Sequence, residues 1–186
     1  TIKPLSVLIG LNEGLFTTKT KYNDRGIAYF GRNDSASVRN SSGHVYGPLY
    51  PKDAIRVSSN AFMVDMVGEK LYNKYGAKGI QVWDDYMKQF GLGVPTGIDL
   101  PDDFRGILDY KDESQTALSR LAYASFGQQG KYTTMQLAQY TATLANRGKR
   151  MQPRLVHKIT DAEGKVVMQF EPKVLNEVKM KEAYWD

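Results

Sequence analysis

The chain contains no cysteine, only two histidines, and no apolar run long enough for a bilayer. Without cysteine there can be no disulfide, no thiol nucleophile and no thiolate metal centre. This leaves the compartment open, because many exported bacterial proteins also lack cysteine. His44 and His157 lie far apart in sequence, so neither a zinc site nor a histidine-based triad is expected; no metal and no cofactor is predicted. A membrane span needs about 20 consecutive apolar residues, and none occurs. Nor is there a basic-then-apolar leader: Thr1-Ile2-Lys3-Pro4 runs directly into a helical pattern. Any membrane anchor is therefore expected outside these residues.

What is present describes an ordinary folded domain. The 186 residues are 41% hydrophobic and 24% charged, which argues against disorder and allows one sizeable core. The net charge of +5 is spread along the chain. Its densest stretch, Arg147, Lys149 and Arg150, could attract an anionic polymer. A solvated helix end, where the dipole favours cations, accounts for it more simply. No nucleic-acid motif accompanies the charge, and no nucleic-acid partner is expected.

Periodicity divides the chain into pieces. Leu5, Leu8, Ile9 and Leu11 keep helical spacing until Gly14, and Pro4 is acceptable in a first turn. Residues 17–50 carry Asn, Asp, Ser and Gly punctuation, which predicts a loop-rich insertion with a short hairpin; the N-x-S matches at Asn33 and Asn40 read as loop composition. Helical spacing resumes from Lys52, is interrupted at Ser58-Ser59-Asn60, and continues to Gly76. Ile80 to Phe90 forms another helix, and residues 91–114 are a Gly/Pro/Asp-rich connection. Thr133 and Gln136 form a capping box, followed by a helix predicted to bury Met135, Leu137, Ala138, Tyr140, Ala142, Leu144 and Ala145. Alternation on both sides of Asp161–Gly164 predicts a β-hairpin over residues 153–171. Residues 1–186 are read as a single unit, α+β and mainly α.

Three features invite a chemical reading, and each has a plainer one. Serine and asparagine are favoured helix caps, so capping alone accounts for Ser58-Ser59-Asn60. Lys3 reads as a solvated lysine near a chain end. Gly127-Gln128-Gln129-Gly130 lacks the lysine–serine and strand–turn–helix context of a phosphate cradle.

Segment order changes that balance. Residues 1–14 (TIKPLSVLIGLNEG) resemble the helix that opens with Ser-x-x-Lys in penicillin-binding proteins, with Lys3 at the lysine position. Residues 50–60 (YPKDAIRVSSN) resemble the approach to that family's Ser-x-Asn motif. Residues 90–101 (FGLGVPTGIDLP) are similar to a specific family segment, and residues 125–148 to its glutamine-rich helix, with Thr134 in place of a proline. The resemblance spans essentially the whole chain and is closest to the class B, monofunctional transpeptidases.

The resemblance implies the helical half of a penicillin-binding-protein/serine β-lactamase-like transpeptidase domain, with the β-hairpin appended. It implies a serine nucleophile just before Thr1, Lys3 and Ser58 in proton transfer, and Asn60 holding the substrate amide and positioning Lys3. The implied partners are peptidoglycan stem peptides ending in D-Ala-D-Ala, β-lactam antibiotics and the remainder of the transpeptidase domain. The implied location is the extracytoplasmic face of the bacterial membrane. The family's Lys-Thr-Gly strand has no counterpart in these residues. This polypeptide by itself, lacking serine and strand, is expected not to be acylated. A β-lactamase, a D,D-carboxypeptidase and a non-catalytic penicillin-recognising sensor or scaffold share the motifs.

Overall fold

A computed structural model describes residues 1–185. Helices dominate, with short antiparallel ladders among them. The chain forms two compact units, each built from two stretches: residues 1–84 with 108–130, and residues 85–107 with the chain from Lys131 onward. Nothing in the periodicity marks that division. No helix among the described residues is long and apolar enough to cross a membrane.

The first unit is organised around α1 (Lys3–Asn12), which is buried on nearly every side: Leu5, Ser6, Val7, Leu8, Ile9, Gly10 and Leu11 are all inaccessible. A helix with so little polar surface must sit inside a core. The loop-rich segment that follows holds two nested ladders rather than one short hairpin. Outermost, β1 (Tyr22–Asp24) pairs with β4 (Gly47–Leu49), Tyr22 opposite Leu49. Between them, β2 (Ile27–Phe30) pairs with β3 (Ala36–Arg39), Ile27 opposite Arg39. Strand alternation sends Ala28, Phe30 and Val38 inward, where they join Ala61, Val64 and Ala122 in one apolar cluster.

Two helices then flank the interruption at Ser58: α2 (Pro51–Arg56) and α3 (Asn60–Met63). A π-helical turn at Val64–Gly68 leads from α3 into α4 (Glu69–Tyr75), an irregularity that helical spacing did not reveal. In that turn Gly68 lies so close to α6 (Ala117–Ser125) that a Cβ would come within 2.8 Å of the Ala122 Cα. Helix α6 itself falls in a stretch for which the sequence reading proposed no element. Its start was legible, since Thr116 caps it through a bond from the Ser119 N–H at 3.2 Å. Helix α5 (Gly79–Gln89) is amphipathic, with Trp83 and Met87 buried.

In the second unit α7 (Thr134–Ala145) carries the predicted capping box: the Gln136 N–H donates to Thr133 Oγ1 at 3.1 Å, and the Thr133 N–H to Gln136 Oε1 at 3.0 Å. Of its predicted core face Tyr140 is buried as expected, and the rest requires correction. Gln136, Gln139, Tyr140 and Thr143 are buried, whereas Ala138, Ala142 and Ala145 are exposed and Met135, Leu137 and Leu144 only partly covered. The inversion has a hydrogen-bonding cause. Gln136 Nε2 donates to the carbonyls of Val94 (2.8 Å) and Arg105 (3.0 Å), and Gln139 Nε2 to those of Thr96 and Met151 (both 2.9 Å). The glutamines thus satisfy backbone acceptors of the 94–105 loop that would otherwise be buried unpaired. Beyond α7, β5 (Lys149–Met151) pairs with β8 (Val174–Glu177). Between those two, β6 (Lys158–Thr160) and β7 (Val166–Gln169) form a hairpin whose side chains are all exposed.

Candidate active site

The three residues singled out in the sequence meet in the first unit. Lys3 opens α1 and is only 8% exposed. Its ammonium donates to Ser58 Oγ at 2.7 Å, to Asn60 Oδ1 at 2.7 Å and to the Ser58 carbonyl at 2.6 Å. All three acceptors are neutral oxygens. Burial without a compensating carboxylate in this shell pushes the Lys3 amine down to about 8. The reading of Lys3 as a solvated lysine is therefore wrong: it is a desolvated amine that can lose its proton near neutral pH.

The geometry also separates capping from chemistry in Ser58-Ser59-Asn60. Ser59 is the cap, its Oγ accepting from the Phe62 N–H at 2.9 Å. Capping thus accounts for the middle residue and leaves its neighbours unexplained. Ser58 closes α2 instead, at the position where a left-handed residue is required. The Ser58 N–H donates to the Ile55 carbonyl (3.1 Å) and the Ser59 N–H to that of Ala54 (3.0 Å), the pair of bonds of a Schellman turn. Ser58 has φ of 56°, a conformation that normally favours glycine at this position. A serine held there, exposed and 2.7 Å from a buried amine, fits a side chain retained for its hydroxyl.

Asn60 is oriented by a second bond. Its Nδ2 donates to the Arg39 carbonyl at 2.9 Å, which turns Oδ1 toward Lys3. One Nδ2 hydrogen remains beyond that bond, so the amide retains a donor for a ligand.

Sequence reasoning did not find the layer behind this turn. Asp24 and Asn40, from the loop-rich segment, are 1% and 3% exposed and bond directly to Ser59, Asn60 and Ala61. Both had been read as turn formers, and composition offered no signal to separate them from Asn23 or Asp34. Asn40, one of the two N-x-S matches, has its amide committed within the fold.

Tyr22 and Asp65 tie the same segment to the π turn, the Tyr22 hydroxyl donating to Asp65 Oδ2 at 2.7 Å. Burial, together with the Glu69 charge, raises the Asp65 carboxyl to about 6, against the pull of the Tyr22 bond. Its folded value lies above the unfolded one. The folded state therefore holds a proton that the unfolded chain has released, and stability falls as pH rises from about 4 through about 6. Asp65→Asn keeps an acceptor for Tyr22. Discounted for partial exposure, the substitution is expected to stabilise by about 1 kcal/mol near pH 7 and to have little effect near pH 4. Melting temperatures at both pH values check this.

In the second unit a cleft of about 630 Å³ is lined by Asp99, Gln152, Arg154, Val156 and Phe170, among others. Its Asp99 carboxylate is occupied by the N–H groups of Leu155 (2.8 Å) and Val156 (3.0 Å), which makes it a clip for the chain entering the hairpin.

The site is thus a buried amine held on a serine–asparagine turn at the start of a buried helix. Comparison with known proteins names the class. Residues 1–186 match the penicillin binding protein transpeptidase domain. The chain is 36% identical to penicillin-binding protein 2A of Bacillus subtilis, over 98% of its own length and 26% of that protein's. It is 27% identical to the peptidoglycan D,D-transpeptidase MrdA of Acinetobacter baumannii, over 84% of this chain and 23% of that one. Penicillin-binding protein 2B of Streptococcus pneumoniae superposes with a TM-score of 0.81 at 27% identity, covering 99% of this chain and 32% of that structure. The chain belongs to the penicillin-binding-protein transpeptidase domain family. It spans about a quarter of the length of the curated relatives it matches.

Proposed function

We propose that the full-length protein is a peptidoglycan D,D-transpeptidase of class B type, and that this chain contributes the helical part of its active site. The observation that carries this reading is the Lys3 amine, desolvated and hydrogen-bonded at 2.7 Å to both Ser58 Oγ and Asn60 Oδ1. Nothing in a purely structural role calls for a lysine, since burying an amine without a counter-charge costs stability.

On this reading the nucleophile is a serine immediately preceding Thr1, one helical turn from Lys3. Neutral Lys3 accepts the serine proton as the oxygen attacks the penultimate D-Ala carbonyl of a stem peptide. Ser58 passes that proton on to the departing D-Ala amine as the peptide bond breaks. The incoming amine of a neighbouring stem then attacks the acyl-serine, its proton returning through Ser58 and Lys3 to the serine oxygen. Asn60 donates its remaining Nδ2 hydrogen to the substrate amide while its Oδ1 keeps Lys3 in place. A Lys-Thr-Gly strand elsewhere in the protein completes the cleft and its oxyanion site. β-Lactams enter the same path, their strained amide standing in for D-Ala-D-Ala, and stop at the acyl-serine. The site faces the extracytoplasmic side of the membrane, with an anchor outside these residues.

Turnover of a pentapeptide donor with an amine acceptor tests this in the full-length protein. Cross-linked product is expected. Hydrolysis alone would assign the protein to the carboxypeptidases or β-lactamases, and a stable adduct without turnover would assign it to the sensors.

A further inference from the structure

The loop-rich segment at residues 17–50 does more than decorate the helical body. Asp24 ends β1 and Asn40 follows directly on β3, and both project into the base of the Ser58–Asn60 turn. Asn40 Oδ1 accepts from the Asn60 N–H at 2.8 Å and the Ala61 N–H at 3.0 Å, the first two unpaired amides of α3. Its Nδ2 donates to both Asp24 oxygens (2.9 and 3.0 Å) and to the His44 carbonyl (2.9 Å). The Ser59 hydroxyl donates to Asp24 Oδ2 at 2.5 Å, and the Gly26 N–H to Asp24 Oδ1 at 2.7 Å.

A buried carboxylate is costly unless it is well supplied with donors. Asp24 receives them from Gly26, Asn40 and Ser59, with no cation among these partners. Ser59 in turn uses its oxygen on the Phe62 N–H. The result is a closed polar network with one end at the backbone N–H groups of Asn60, Ala61 and Phe62. The outer residues of that turn, Ser58 and Asn60, hold Lys3. A network satisfied at every member fixes a single geometry, which capping alone does not require.

We propose that Asp24 and Asn40 are positioning residues for acyl transfer, holding the Ser58–Asn60 turn so that Ser58 Oγ and Asn60 Oδ1 stay on the Lys3 amine. The proposal rests on the transpeptidase reading above. It makes the loop-rich segment part of the catalytic apparatus through the groups it orients, although neither residue touches substrate.

The test measures acylation of the full-length protein by a fluorescent penicillin, resolving the acylation rate constant from non-covalent affinity, with a melting temperature for each variant. Asn40→Asp sets two carboxylates against each other, and displacement of the turn is expected to lower the rate constant about 10²-fold, with a smaller change in affinity. Asp24→Asn preserves shape and leaves two amides face to face; it is expected to lose about tenfold. It serves as the readout if Asn40→Asp does not fold. The reciprocal pair, Asp24→Asn with Asn40→Asp, restores one amide–carboxylate contact and keeps an acceptor for Asn60 and Ala61. Recovery to within about tenfold of wild type is expected. Folded single variants that acylate at the wild-type rate, or show a loss only in melting temperature, overturn the positioning role while leaving the transpeptidase reading intact. A wild-type protein that is not acylated overturns both.

Discussion

Replacing Lys3 by alanine in the full-length protein is expected to lower the rate of acylation by penicillin by about 10³-fold or more, the range set by removing a general base. The charge of Lys3 is not what the site needs. Lys3→Arg, which keeps a cation but cannot shed its proton, should lose as much as Lys3→Ala. Wild-type acylation should show the complementary pH dependence. The amine is depressed to about 8, so the active, neutral form becomes tenfold rarer for each unit below that value. The acylation rate is expected to rise with pH up to about 8 and then level off. A rate independent of pH across that range, or an active Lys3→Arg, would remove Lys3 from the proton path.

The second large effect sets stability against function at one position. Ser58→Gly places glycine where φ is 56° and a Schellman turn ordinarily has one. Relief of the left-handed strain is partly offset by the freer unfolded chain, so stability should stay level or rise by up to about 1 kcal/mol. Acylation should nevertheless fall about 10²-fold, because the hydroxyl 2.7 Å from Lys3 is gone. Ser58→Ala removes the same hydroxyl but keeps a Cβ in the strained conformation, so it should lose activity without gaining stability. The pair distinguishes a serine retained for chemistry from one that merely terminates α2. Thermal unfolding and acylation rates, measured on both variants, decide it.

The extent to which this site was legible differs residue by residue. Lys3 was found only through the order of the segments around it. Its burial depends on residues more than fifty positions away, which no local pattern encodes. Ser58-Ser59-Asn60 was legible as a cap, and that reading holds for Ser59 alone. The left-handed backbone at Ser58 is invisible in a sequence because the signal for it, glycine, is absent. Asp24 and Asn40 carry the opposite difficulty: their residue types are so common in turns that composition conceals a buried pair. In the fold, α5 followed from spacing because apolar periodicity and burial coincide there, and α1 followed from its apolar spacing although burial extends to its other faces. Helix α7 followed from its capping box, but its buried face did not, because the backbone acceptors of a loop outweighed apolar side chains in deciding which face turned inward. The hairpin from Lys158 to Gln169 was legible from alternation, although its alternating side chains are all exposed in the described residues.

Beneath all of this lies one claim, that Lys3, Ser58 and Asn60 serve a serine joined directly to Thr1. Full-length protein treated with benzylpenicillin, digested and analysed by mass spectrometry tests it most directly. The account predicts a penicilloyl group on the residue immediately preceding Thr1, formed about 10³-fold more slowly when Lys3 is alanine. An adduct on Ser58, or on a residue remote from α1, would contradict it.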